Sequence, residues 1–267
     1  MVKRLIFLLL IVTSCQHSDL LIIEGSINNS LNEVSGAEYI INPNLIWVVE
    51  DAGNDNHLYG LNKEGKIIRD ITIQNAENED WEELTSDKDR NIYIGDFGNN
   101  NKKRGTFRIL KISNEDLSAP GANADIIEFT LPKGLKSKNF EAFFVLNDLF
   151  YIFSKAADKT EVFKVPNKVS NHIATKISEY HFKGKGFKIT SADINFKNHK
   201  IVLLNRDKLI QLSDFEGDDF FSGQIDILSF GHNTQKEGVC FENDSTLLIT
   251  HERKDFEGGN IYSFNFK

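Results

Sequence analysis

The stretch from Asp80 to Asn100, DWEELTSDKDRNIYIGDFGNN, sets two glutamates behind a tryptophan, then a polar turn, then a short β-type run that closes on Gly95-Asp96-Phe97-Gly98. A carboxylate beside apolar strand residues is costly to bury unless a positive or hydrogen-bonding group meets it. The same layout occurs four more times: EVSGAEYIINPNLIWVVEDAGN from Glu33, KNFEAFFVLNDLFYIFSKAADK from Lys138, KITSADINFKNHKIVLLNRDK from Lys188 and QKEGVCFENDSTLLITHERK from Gln235. Each copy opens on Ser or Glu, then Gly, Ala or Glu, then an apolar strand. A tight Asn/Asp turn follows (NPN, DKDRN, LND, FKNH or END), built from residues that tolerate positive φ or bond their own backbone. The second strands, LIWVVE, IYIGD, LFYIFSK, IVLLNR and LLITHE, are nearly continuous in apolar character, as strands covered on both faces are.

Third strands come after the next loop (HLYGLN, TFRILKIS, EVFKVP, KLIQLS, IYSFNF), and four copies continue to a fourth in KIIRDITI, DIIEFTL, TKISEYHF and GQIDILSF. The fifth copy stops at its third strand, while DLLIIEGSI, Asp19 to Ile27, stands before the first copy with no inner partner. A closed ring satisfies both, with the N-terminal strand completing the last sheet. The markers Ser35, Glu82, Glu141, Ser191 and Glu237 lie 47, 59, 50 and 46 positions apart. Four-stranded units at a period of roughly 45 residues predict an all-β, five-bladed β-propeller with inner strands starting near 34, 81, 140, 190 and 236. A β-sandwich also uses many short strands, but it has no reason to repeat a four-strand phrase with the same opening residue.

In a propeller the first strand of each blade lines the central channel, so Ser35, Glu82, Glu141, Ser191 and Glu237 are expected to meet on the axis. No lysine or arginine stands at the ring position, and three converging carboxylates raise one another's pKa. A divalent cation would offset them, and an oxygen-only set favours Ca²⁺ over magnesium, which demands a tighter octahedron. The competing reading has one or more glutamates turning away to bond backbone or channel water. Aligning Trp81-Glu82 with Phe140-Glu141 makes Glu82, rather than Glu83, the inward residue.

The axial order Ser, Glu, Glu, Ser, Glu resembles that of the calcium-activated nucleotidases, or apyrases, which implies a five-bladed ring, axial Ca²⁺ and hydrolysis of nucleoside di- and triphosphates. The resemblance covers those five positions and the blade rhythm, and no apyrase nucleotide-binding or catalytic motif is matched residue by residue. DAGNDNHLYGLN and the Asp80 stretch look more like bacterial envelope propellers of the esterase-like and NHL-like kind.

Second-strand exits fall at the same end of the channel as the inner-strand starts. They offer Asp51, beside Glu50, then Asp96, Lys155, Arg206 and Arg253, beside Glu252, as a ligand-binding rim of mixed sign. Such a rim is able to grip an anion and position water; its charges are equally able to pair with one another. His251 and His57 belong to no metal spacing such as H-E-x-x-H, and no G-x-S-x-G elbow or phosphate-binding glycine loop is present. Asp87 begins a calcium-loop-like DKDRN, but Ile92 stands where the EF-hand needs glycine and Gly98 where it needs glutamate, which leaves a hairpin turn. Trp47 and Trp81 are expected to fill gaps between blades, and Cys240 to be a small core residue.

The chain opens MVKRLIFLLLIVTSC, a basic start, an apolar run too short to span a bilayer, and small residues before Cys15. Residues 1–14 therefore resemble a lipoprotein leader, with Cys15 acylated at the head of a single domain over 15–267. An ordinary secretory signal with an incidental cysteine is the alternative. A lipid contributes ~0.8 kcal/mol per buried CH₂, so the membrane would be met through the anchor alone. A net charge of −8 without a basic cluster argues against nucleic acid. The expectation is a monomeric, extracytoplasmic lipoprotein of the bacterial envelope, at the outer membrane, that holds Ca²⁺ and binds a small or extended, anionic ligand. A calcium-dependent phosphohydrolase and a propeller that only docks proteins are the alternatives.

Overall fold

Strands that are apolar on both faces need cover on both, and sheets stacked radially supply it. The computed structural model describes residues 20–184, 186–253 and 258–266. Cys15 and its leader lie outside the described residues. The chain enters on β1 (Ile22–Ser26) and then builds blade 1 from β2 (Val34–Ile40), β3 (Leu45–Glu50), β4 (His57–Leu61) and β5 (Ile67–Ile73). Blade 2 holds β6 (Trp81–Ser86), β7 (Ile92–Asp96) and β8 (Thr106–Ile112) and, after the two-residue β9 (Gly121–Ala122), β10 (Asp125–Thr130). Blade 3 holds β11 (Phe140–Leu146), β12 (Leu149–Ser154) and β13 (Lys159–Pro166) and, after β14 (Asn171–Ile173), β15 (Thr175–His181). Blade 4 runs through β16 (Ser191–Asn195), β17 (Lys200–Leu204), β18 (Lys208–Ser213) and β19 (Gln224–Ser229).

Blade 5 joins β20 (Lys236–Asn243), β21 (Thr246–His251) and β22 (Asn260–Asn265) to β1, which pairs antiparallel with β22 from Ile22 opposite Ser263 to Ser26 opposite Asn260. The ring is thus closed by the N-terminal strand, and the inner strands β2, β6, β11, β16 and β20 neighbour one another in that order around the axis. Two strands were not legible in the repeat. β9 adds in parallel to the outer edge of β5, and β14 adds in parallel to the outer edge of β10, so blades 1 and 2 each carry a fifth strand supplied by later chain.

Among the described residues, five apolar clusters fill the five spaces between blades. Trp47 and Trp81 are fully buried together between blades 1 and 2. Between blades 2 and 3 the filler is largely phenylalanine, with Phe107, Phe140 and Phe163 packed edge to face. Cys240 is a buried free thiol in the cluster between blades 5 and 1. The DKDRN segment is a hairpin turn: Asp87 Oδ1 accepts from the amides of Asp89 (2.9 Å) and Asn91 (3.0 Å), and Arg90 has φ 66°.

Four inner strands share an irregularity that sets up the channel mouth. The pairing of β2, β6, β11 and β20 with their second strands slips between Val34 and Ala37, Trp81 and Glu83, Phe140 and Ala142, and Lys236 and Gly238. A bulge leaves its extra residue out of the ladder and re-aims the side chain. The residues so released include Ser35, Glu82, Glu141 and Glu237. The small residue that follows in two copies is required by close approach: a Cβ on Gly36 would run into the backbone of Glu83 and Leu84, and one on Gly238 into Ala37.

Candidate functional site

At the bulged end of the channel lies a cavity of about 200 Å³ lined by Ser35, Asp51, Glu82, Glu141, Lys155, Thr190, Arg206, Glu237 and Glu252, among others. Of the five expected ring residues, four line it. Ser191 does not: its hydroxyl is fully buried, accepts from Val239 N (2.9 Å) and bonds Glu83, and the preceding Thr190 takes its place at the wall. Blade 4 explains this, because β16 pairs in register from Ser191 onward and no slip re-aims that side chain. Ser35 lines the cavity but donates its hydroxyl to Trp81 O at 3.0 Å.

Among the expected rim residues, Asp51, Lys155 and Arg206 line the cavity. Asp96 and Arg253 are not part of this wall. Asp96 is fully buried and gripped by Arg104 Nη1 (3.0 Å) and Arg108 Nε (2.9 Å), because β8 sits beside it and supplies Arg108 directly opposite. Arg253 donates from Nη2 to Ile27 O at 2.7 Å, tying blade 5 to the chain that follows β1.

Although no cation stands at the ring position, two reach it from the second-strand exits. Lys155 Nζ pairs with Glu141 Oε2, and Asn139 Nδ2 donates to Glu141 Oε1 at 2.7 Å. Arg206, leaving β17, donates from Nε and Nη2 to Glu237 Oε1 at 3.3 and 3.2 Å. Burial raises the Glu141 carboxyl to about 7 against the pull of Lys155, and burial likewise raises Glu237 against Lys155 and Arg206. Glu252, held by Gln235, is pushed to about 7 by burial and by Glu237.

Glu82 receives less of this help: the charge of Lys155 pulls its carboxyl down, but no side chain is bonded to it among the described residues. Its side chain is buried, with the residue 7% exposed, and Oε1 has no hydrogen-bond partner. Burial, then Glu141, Asp51 and Asp80, raise its carboxyl well above the usual range. Asp80 is raised to about 7 by burial and by Asp51, with which it shares a hydrogen bond. One carboxylate oxygen from each of Asp51, Asp80 and Glu82 lies within 4.8 Å of the others. Three oxygens at that spacing, one of them an unmet buried acceptor, form a cluster able to hold a metal ion. The donor set is all oxygen, which suits a hard divalent cation. A Cβ on Gly98 would collide with Glu82 Oε1 and with Asp80, so both carboxylates pack against the chain here only because that residue is glycine.

Asp80 is the member the sequence reading missed. Its signal was present: it stands two positions before Glu82, where Asn139 stands two before Glu141. Glu83 is also absent from the cavity, but it is fully buried on the axis just beyond it. Its Oε1 accepts from Leu84 N (2.9 Å) and Ala37 N (3.2 Å), and its Oε2 accepts from Ala192 N (3.1 Å), so one side chain joins blades 1, 2 and 4. Burial raises its carboxyl well above the usual range while those donors and the Ser191 hydroxyl pull it down. Glu83 is the axial tie, and Glu82 faces the open space.

The sequence matches no family model and no curated protein. Solved structures do resemble the fold. The PQQ-bound aldose sugar dehydrogenase of Streptomyces coelicolor aligns over 92% of this chain and 97% of its own, with a TM-score of 0.55 at 8% identity. A gluconolactonase of Xanthomonas campestris aligns over 92% and 89%, with a TM-score of 0.52 at 8% identity. The virginiamycin B lyase of Staphylococcus aureus aligns over 88% of this chain and 66% of its own, with a TM-score of 0.47 at 15% identity. Likenesses at this identity bear on the architecture alone. They add nothing specific to the apyrase resemblance.

Proposed function

We propose that the protein is a calcium-dependent binding propeller. The ion is held off the axis by Asp51, Asp80 and Glu82, and a ligand docks at the mouth against the ion and the neighbouring wall. The observation that carries this reading is the buried Glu82 Oε1, which meets no donor and stands among two further carboxylates. A buried carboxylate in that position either takes a proton or takes a cation, and calcium accepts such an oxygen set at flexible geometry. Glu141 and Glu237 have cations of their own and form the wall rather than the first choice of ligand. The function takes place outside the cytoplasm, on a monomer tethered to the outer membrane through acylated Cys15, as the leader sequence suggests.

Thermal melting at pH 8 tests the ion. Calcium at a hundredfold excess over its dissociation constant adds about 2.7 kcal/mol to the folded state, and EGTA removes it. Glu82→Gln is expected to abolish the calcium shift, whereas Glu141→Gln retains most of it. A wild-type protein that melts identically in calcium and EGTA overturns the proposal, and loss of the shift in Glu141→Gln alone would return the ion to the axial ring.

A further inference from the structure

Beside the acidic cavity, and sharing Asn100, Lys155, Thr190 and Arg206 with it, lies a second and larger hollow of about 440 Å³. Its remaining wall includes Lys188, Asp207, Lys208 and Asn233. Four cations therefore face one acid, in a chain whose net charge is −8. That inversion of sign is local, and it adjoins the site already proposed.

The cations are not equally engaged. Lys155 is held by Glu141, and Arg206 is held by Glu237 through Nε and Nη2. Lys208 Nζ bonds the carboxylate of its sequence neighbour Asp207 at 2.6 and 2.7 Å and sits 5.1 Å from the centre of the Phe187 ring, a partly buried position in which its only ionic partner among the described residues is the adjacent residue. Lys188 is exposed and makes no hydrogen bond or ion pair among the described residues. Lysine is a point charge with three donors and no preferred plane, while a planar carboxylate is best met by the two-pronged edge of an arginine. Here the Nε edge of the single arginine is already taken. The ammonium groups arrive from three separate segments: the exit of β12, the approach to β16, and the turn from β17 to β18. Approach from several directions suits a tetrahedral group, and amide side chains at Asn100 and Asn233 add donors around it.

We infer that this basic lobe binds a doubly charged tetrahedral oxyanion, the phosphate group of a phosphorylated ligand, with Lys188 and Lys208 as its principal contacts. The inference rests on the proposed reading only in taking the mouth as a ligand site, and it does not require the cation. Among the described residues the lining has no aromatic side chain, so the rest of the ligand is recognised by polar contacts rather than by ring stacking.

Calorimetric titration with inorganic phosphate, in calcium-free buffer, tests it. Wild-type protein is expected to bind with a one-site, saturable isotherm, and K188A/K208A about tenfold or more weakly, since charge-assisted bonds of this type are the strong ones. Lys208 also packs over Phe187, whereas Lys188 is exposed and has no partner among the described residues, so the single variant K188A serves as the folding control and shows part of the loss. Acetate at equal concentration is expected to bind more weakly. Absence of saturable binding to wild type, equal phosphate affinity in wild type and K188A/K208A, or acetate binding as well as phosphate would each overturn the inference. Calcium melting shifts measured on K188A/K208A keep the two readings apart. A normal shift with phosphate binding lost supports both, whereas phosphate binding in a protein that shows no calcium response removes the cation and leaves the lobe.

Discussion

Blades 2 and 3 start from nearly the same phrase and arrive at opposite electrostatics. Trp81-Glu82 and Phe140-Glu141 occupy equivalent bulges, and in both the amide of a second-strand exit residue bonds the carbonyl two positions before the glutamate: Gly98 N to Asp80 O at 3.0 Å, and Lys155 N to Asn139 O at 2.9 Å. Where blade 3 has Lys155, blade 2 has a glycine. Where blade 3 has the donor Asn139, blade 2 has the acid Asp80. The corresponding exit residue of blade 1, Asp51, whose amide bonds Glu33 O at 2.9 Å, then adds a third carboxylate to blade 2. Glu141 is a closed account of charge, while Glu82 is an open one, and the open one is where a soluble cation has something to gain. The lesson is that a repeat marks where charge will gather, and the residues flanking the marker decide whether the protein or a ligand neutralises it.

Three experiments bear on that contrast. The largest effect is expected in blade 3: Lys155→Met leaves Glu141, 2% exposed, without its cation. Removing one partner of a buried pair costs about 3 kcal/mol or more, so urea unfolding in EGTA should show a clear loss of stability. Wild-type stability in that variant would mean Glu141 is already protonated.

Asp80→Asn makes blade 2 imitate blade 3 by placing an amide donor beside Glu82. Calcium affinity, followed by calorimetry, is expected to fall about tenfold while stability in EGTA rises by about 1 kcal/mol, the worth of one added hydrogen bond and one removed repulsion. A variant that binds calcium as wild type does would exclude Asp80 from the ligand set.

The smallest effect is in the pH dependence. Asp80, raised to about 7, and Glu82, raised well above its usual range, hold protons in the folded chain at pH values where the unfolded chain has lost them. Their contribution to stability is therefore full below about pH 4 and declines as pH rises through 7 when no cation is present. Calcium binds the ionised form, so its stabilising shift should be larger at pH 8 than at pH 6, by about 3 °C in Tm for a difference near 1 kcal/mol. Equal shifts at the two values would mean that these acids do not titrate on binding.

The architecture was legible in the sequence because each blade must be apolar on both faces and must turn at fixed places. The runs LIWVVE and LFYIFS became β3 and β12, and the unpaired DLLIIEGSI supplied β1 to close blade 5. The site was legible only in part. Periodicity located Glu82, Glu141 and Glu237, but the presence of a bulge leaves no mark in apolar alternation: blade 2 has one, which turns Glu82 to the cavity and leaves Glu83 on the axis, and blade 4 has none, so Thr190 rather than Ser191 reaches the wall. Asp96 misled for a different reason. It stands at a second-strand exit, yet β8 and the loop that leads into it cover it with Arg108 and Arg104, and those contacts are set by tertiary neighbours rather than by position in the repeat. β9 and β14 escaped because strands of two and three residues carry no periodic signal.

Those two short strands also impose an order on synthesis. The outer edge of blade 1 acquires its cover only when Gly121 and Ala122 have been made, and that of blade 2 only with Asn171 to Ile173. Until then each edge is an unpaired ladder, the kind of surface on which nascent chains find the wrong partner. β1 waits longest, because its partner β22 lies at Asn260–Asn265, so the first strand made keeps an open edge until the last blade is in place.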